Sequence, residues 1–184
     1  LQVAREASED EWSQRKVLNE VLRTLPDAEW HQSSPAEILG DAISSARETL
    51  KVKQPFAERR AQVQEQFKPL AESFRERVAS AGDDAFALAV TGAAAANLVD
   101  EMVFSRFARQ DLRALFEAAV DTGFERGDPK QLRESLDGAQ SVLYLLDNAG
   151  EVFFDAILID QIRALGKTVR VVVRGGGLLH DATE

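Results

Sequence analysis

A chain of 184 residues with 45% apolar content can form one good-sized domain, or a small α/β core with a helical appendage. Its net charge of −9 argues against nucleic acid and anionic membrane as partners, because a phosphate backbone asks for clustered Lys and Arg; small polar metabolites and metal cations stay open. Zero cysteines exclude disulfides, thiolate zinc sites and a cysteine nucleophile, and the composition is compatible with a reducing cytoplasm.

Leu1 to Ala7 reads as the tail of a helix, and Ser8 with Glu11 makes a capping-box pattern opening a second, which carries Trp12, Val17, Leu18, Val21 and Leu22 and stops at Pro26. Ser34-Pro35-Ala36-Glu37 combines a cap, a first-turn proline and a box acid, after which Ile38, Leu39, Ala42, Ile43, Ala46 and Leu50 keep helical spacing. Gln54-Pro55-Phe56 breaks that run. Val63, Phe67, Leu70, Phe74 and Val78 then mark a charged surface helix ending near Gly82, with Pro69 as a point of kinking.

Asp83 or Asp84 is placed to cap the next helix, an Ala-rich body from Phe86 to Phe104 that is apolar nearly all round and so is expected at the centre. The most apolar stretch, Ala85 to Val99, is too short and too polar to span a bilayer. Among the helix's polar exceptions, Asn97 and Asp100 share a helical face; unpartnered burial costs about 1 to 3 kcal/mol each, so they face a polar cleft, or else Asp100 and Glu101 mark where the helix surfaces. Leu112, Leu115, Phe116, Ala119 and Val120 give another helix, and Asp128-Pro129 starts a short one through Leu136.

The strand signals come last. Residues 141–146 and 168–173 are short apolar runs flanking a helical segment with Val152, Phe153, Ala156, Ile157, Ile159, Ile162 and Leu165. Gly166 sits where a helix ends, and Glu151 and Asp155 supply the first turn with the charge its dipole favours. The result is one βαβ unit with parallel strands. The expected class is α/β, with a helical domain over 1–140 packed on a Rossmann-like parallel sheet of which 141–184 holds one unit. Two strands make no independent sheet core, so isolated 1–184 is expected to be marginal, with strands supplied from beyond Glu184 or by a partner chain.

In a parallel unit the loops after adjacent strands face one crevice, which brings Asp147-Asn148-Ala149-Gly150 toward Arg174-Gly175-Gly176-Gly177 and His180-Asp181. Asp147, Asn148 and Asp181 make an all-oxygen set suited to Mg²⁺ or Mn²⁺. Gly150 and the glycine run leave backbone N–H groups free to approach an anion, and Arg174 adds a guanidinium. Metal with an anion cradle implies a phosphoryl substrate. His180 is open between metal ligand, phosphate contact and solvated or capping group. Asp181, on a loop at the cleft edge, is expected to matter for the ion and little for folding. A dinucleotide site is disfavoured because no G-x-G-x-x-G follows the first strand.

The run Leu143 to Glu151 (LYLLDNAGE), with Phe154-Asp155, Val173-Arg174-Gly175-Gly176 and Asp181-Ala182-Thr183, resembles the damage-control phosphatases, first catalogued as domain of unknown function 89. Upstream, Asn97-Leu98-Val99-Asp100 is similar to the family's G-N-x-I-D element and Pro55-Phe56 to its D-P-Y element. The resemblance implies a metal-dependent phosphatase of small phosphorylated metabolites, such as damaged or overflow sugar phosphates, using a divalent cation (Mg, Mn, Co or Ni). Its metal ligands and catalytic centre fall on Asp147, Asn148 and Asp181, with Asn97, Asp100, Gly150, Glu151, Arg174, Gly175 and Gly176 at the substrate. Ala96 stands where the family's glycine would be, Gly177 where proline is common and His180 where asparagine is usual. Family members begin upstream of Leu1 and continue for about a domain's length past Thr183, which implies a chain cut at both ends. The rival readings are a non-catalytic helical interaction module or an inactive fragment with a residual metal site.

Overall fold

Helix α1, Glu11–Thr24, begins with a different cap from the one expected. The Asp10 carboxylate accepts the Ser13 N–H at 2.8 Å, while Ser8 accepts the N–H of Asp10 at 3.2 Å. A carboxylate next to the first turn is the better acceptor there, since it also meets the helix dipole; hydrogen bonds from Ser13 hold its carboxyl below the ordinary range. Of the expected apolar stripe Val17 is fully buried, but Trp12 is 68% exposed and lies under the Lys16 ammonium, and Leu22 is exposed too. Helix α2, Pro35–Leu50, has the reciprocal capping box that its sequence announces: Ser34 N–H donates to Glu37 at 2.6 Å and Glu37 N–H to Ser34 at 3.3 Å.

The computed structural model describes residues 4–5, 8–24, 33–51, 56–104, 111–174 and 181–183, with the backbone alone at 24, 36 and 100–104. Pro26, Gln54 and Pro55 lie outside the described residues. The described residues divide into two compact units, one within Leu1–Ala61 and one made of Gln62–Gly175 and Asp181–Glu184. The boundary falls inside helix α3, Ala57–Ala79. In the first unit Val17, Ala4 and Ala46 form a small core with Leu18, Val21 and Leu50. The expected boundary at residue 140 divides the chain by type of secondary structure; by packing, residues 62–140 and the βαβ unit share one core.

That larger core is organised by helix α4, Ala85–Phe104, as its all-round apolarity predicts. It packs on α5 (Leu112–Thr122), α6 (Pro129–Asp137) and α7 (Val152–Ala164). Asp83 and Asp84 are not placed as a conventional cap: they form a 3₁₀ turn, Gly82–Asp84, that runs into α4, with Asp84 and Ala85 N–H bonding the carbonyls of Ala81 and Gly82. From α3, all five stripe residues from Val63 to Val78 are buried against this core, and Pro69 is inside the helix.

Small side chains on α4 let its neighbours come close. At Gly92 an added Cβ would lie 2.1 Å from Phe74 Cε1 and 2.5 Å from Cζ. Glycine to alanine in mid-helix ordinarily stabilises by about 0.5 to 1 kcal/mol. Gly92→Ala is expected to do the reverse, lowering stability by about 1 to 3 kcal/mol through displacement of the Phe74 ring, as measured by urea unfolding. A stabilised variant would show that the ring moves aside at no cost.

Strands β1 (Ser141–Leu145) and β2 (Thr168–Val172) pair in parallel, in register from Ser141 with Thr168 to Leu145 with Val172, and α7 makes the crossover. The pairing extends one step to the Leu146 N–H, which meets Val172 at 2.9 Å. Gly166 closes α7 with φ +77°, the left-handed conformation its position predicts. Val142, Tyr144 and Val169 face the core, whereas Leu143 and Leu145 are 63% and 67% exposed on the opposite face. The class is α/β, mostly helical with a small parallel sheet. Among the described residues no helix is long and apolar enough to cross a membrane.

Candidate active site at the carboxyl ends of the parallel strands

The two loops that follow β1 and β2 meet, as a parallel pair requires. Asn148 and Asp181 form an isolated antiparallel bridge, and the Ala182 N–H donates to the Asp147 carbonyl at 2.7 Å. These backbone ties bring residues far apart in sequence side by side. Arg174, just past β2, spans both acids: its Nη1 reaches Asp181 Oδ1 at 3.0 Å and its Nη2 lies 3.6 Å from Asp147 Oδ1. The Asp147 carboxylate is half exposed, while Asp181 and Asn148 are each only 5% exposed. Asp181 is therefore buried at the junction of the two loops, not on an open edge.

Glu151 ties down the backbone at Asn148: its Oε1 accepts the Asn148 backbone N–H at 2.7 Å. Asp155, one turn into α7, accepts the Tyr144 hydroxyl at 2.6 Å. By sequence Glu151 and Asp155 are first-turn charges facing the dipole; instead both are buried, because the strand and α4 cover this end of the helix. Burial raises the Glu151 carboxyl above its ordinary value. Burial, with smaller contributions from Glu151 and Asp147, pushes Asp155 from 3.8 up to about 7 against the lowering effect of Tyr144.

An open cleft of about 490 Å³ runs beside these groups. Asn97, Tyr144, Asp147, Glu151 and Asp155 form its polar part; Val90, Ala93, Ala94, Leu143, Leu145 and Leu158 form the rest. Asn97, on α4, lines this cleft. Asp100 lies on α4, but its side chain is outside the described residues, as are Gly175, Gly176 and His180. Gly150 is buried in the turn ahead of α7. Among the described residues no group of three or more His, Asp or Glu side chains is placed to hold a metal ion.

Tyr144 and Asp155 were missed as site residues. A signal existed. Strand alternation turns Tyr144 toward α7, a buried phenol requires an acceptor, and Asp155 is an acid set among Phe153, Phe154, Ala156 and Ile157.

The folded protein holds a proton on Asp155 that the unfolded chain releases near pH 3.8. The stability this contributes is whole at the acid end and is lost as pH rises from about 4 through 7, the reverse of a salt-bridged carboxylate. Because a tenfold difference in proton affinity between the folded and unfolded chain corresponds to about 1.4 kcal/mol, the loss should amount to a few kcal/mol. Asp155→Asn, which keeps an acceptor for Tyr144, is expected to flatten that part of the stability profile in metal-free denaturant titrations. An unchanged slope would mean that Asp155 is ionised at acid pH.

A parallel βαβ unit with acids and an amide gathered at its carboxyl end, beside a helix that lends a polar residue to the same cleft, defines an α/β protein with a polar crevice at the strand ends. The family model of the damage-control phosphatase ARMT1-like domain matches residues 1–184, and the chain belongs to that family. It is 31% identical to a damage-control phosphatase of Archaeoglobus fulgidus over 98% of this chain and 62% of that one. It is 32% identical to damage-control phosphatase PH1575 of Pyrococcus horikoshii over 70% of this chain and 43% of the relative. The crystal structure of the DUF89 family protein PH1575 superposes with a TM-score of 0.82 at 27% identity, covering 98% of this chain and 62% of that one. The chain thus spans about three fifths of the length of these relatives.

Proposed function

We propose that this chain carries the cation and phosphate site of a metal-dependent phosphatase acting on phosphomonoesters of small metabolites, such as sugar phosphates, in the cytoplasm. The observation that carries the reading is that one guanidinium, Arg174, reaches Asp181 at 3.0 Å and Asp147 at 3.6 Å, so both carboxylates lie within reach of a single cationic centre. With the Asn148 amide beside them the donors are hard oxygens, which fit Mg²⁺, Mn²⁺, Co²⁺ or Ni²⁺ better than soft-ligand metals. When bound, such an ion supplies Lewis acidity to a phosphate oxygen and acidifies a bound water.

The chain's own groups do the positioning. Asp147, Asn148 and Asp181 would hold the ion, Glu151 holds the Asn148 backbone in place, and Arg174 offsets the charge of the two acids. Asn97 and the polar part of the cleft would receive the alcohol portion of the ester. Gly150, Gly175 and Gly176 are proposed at the phosphate, and Asp100 at the substrate. Neither nucleic acid nor membrane is proposed as a partner.

Phosphate release from a panel of sugar phosphates, measured with each of the four cations and after chelation, tests the reading. Activity should require added cation and vanish with EDTA. A protein that neither binds Mn²⁺ in calorimetry nor releases phosphate would favour the interaction-module reading instead.

A further inference from the structure

One polar pair in the cleft has no part in the cation site. Tyr144 and Asp155 line the same cleft as Asp147, one on β1 and the other on α7, and neither pairs with Arg174 among the described residues. The hydrogen bond from the Tyr144 hydroxyl fixes Asp155 Oδ1 at 2.6 Å. Asp155 is 7% exposed yet lines the cleft, and its Oδ2 has no hydrogen-bond partner among the described residues.

The titratable groups that face it are Tyr144 from β1, Glu151 from the start of its own helix and Asp147 from the loop between them. From α4 the described cleft residues Val90, Ala93, Ala94 and Asn97 bring no charge. Burial and the neighbouring Glu151, with Asp147 in the metal-free protein, favour the neutral carboxyl, and among the described residues no cation pairs with Asp155. Its carboxyl value near 7 agrees with that arrangement.

We infer that Asp155 is the proton donor to the leaving group, held in place by Tyr144. The role rests on the phosphatase reading above. In the step, the water oxygen bonds to phosphorus as the P–O bond to the alcohol breaks. The Asp155 proton passes to the alcohol oxygen, and the water's two protons leave with the product as dihydrogenphosphate. Asp155, now a carboxylate, regains a proton from that product or from solvent. A carboxylic acid near neutrality, positioned by a buried hydroxyl, is suited to this work because its proton is both present and transferable at working pH.

Leaving groups differ in their need for a proton, which separates this role from a structural one. With the Mn²⁺-loaded full-length protein, Asp155→Asn is expected to lower kcat on an alkyl ester such as glycerol phosphate by about 10²- to 10⁴-fold. On p-nitrophenyl phosphate, whose phenolate leaves unaided, the loss should stay within about tenfold. Tyr144→Phe should keep the acid but misplace it, giving a smaller loss with the same dependence on leaving group. Infrared spectra of the metal-free protein at pH 6 should show a protonated-carboxyl band that Asp155→Asn removes. Equal losses on both esters, no loss on either, or no such band in the wild type would overturn the role. A wild type inert toward both esters, with the carboxyl band present, would overturn the phosphatase reading and this role with it.

Discussion

Asp181→Ala is expected to weaken Mn²⁺ binding by more than the 10- to 100-fold typical of residues that only support a ligand, and to abolish cation-dependent phosphate release. Asp181 is one of two carboxylates that the same guanidinium reaches, and its backbone is bridged to Asn148. Removing it leaves Asp147 and one amide, too few protein oxygens to compete with water for a divalent ion. The sequence alone suggests that folding would hardly notice, but a buried side chain bonded to Arg174 implies otherwise. Stability should fall by about 1 to 3 kcal/mol, with the lower end favoured because Arg174 is half exposed and can rehydrate. Calorimetric titration and urea unfolding on the same samples separate the two effects. Unchanged Mn²⁺ affinity would remove Asp181 from the site and with it the convergence of the two loops as a cation site.

The largest stability loss is expected at Phe154→Ala, at about 3 to 5 kcal/mol. Phe154 is fully buried where three helices meet: its ring centroid is 4.6 Å from Phe116 on α5, 5.7 Å from Phe74 and 6.4 Å from Phe67 on α3, the last edge to face at 88°. Truncation removes the transfer free energy of the ring and leaves a cavity that the surrounding packed rings cannot easily collapse. The midpoint of urea unfolding should drop with the slope unchanged. Activity should decline as well, since Asp155 and Glu151 flank this residue. A loss below about 1 kcal/mol would mean that α3 and α5 do not share a cooperative core with the βαβ unit.

Much of this architecture is local and therefore legible in the sequence. The capping box at Ser34 and Glu37, the proline-led start at Pro129, the all-apolar α4 and the glycine that ends α7 depend on neighbours within a few positions. Rules of spacing and backbone freedom reach that far. The crossover rule for parallel strands extends the reach once, and it suffices to bring Asp147, Asn148 and Asp181 together from the order of the residues alone.

What only the tertiary structure decided is the fate of charged and polar groups whose setting comes from elsewhere in the chain. Ser8 and Asp10 are both good caps by type; the helix start chose Asp10. Glu151 and Asp155 carry the signature of first-turn acids; the apolar neighbours of Asp155 hint at its burial, but only the tertiary structure shows that both are buried. By sequence the cleft reading of Asn97 and Asp100 is evenly balanced against Asp100 and Glu101 marking where the helix surfaces; in the structure Asn97 lines one cleft with Glu151, a residue far downstream. Ionisation depends on desolvation and on charges within several ångströms in space, and sequence spacing carries that information only along a single helix or strand. The chain by itself therefore determined which residues meet at the strand ends, and the tertiary packing determined that Glu151 and Asp155 are buried, which raises both carboxyls above their ordinary values.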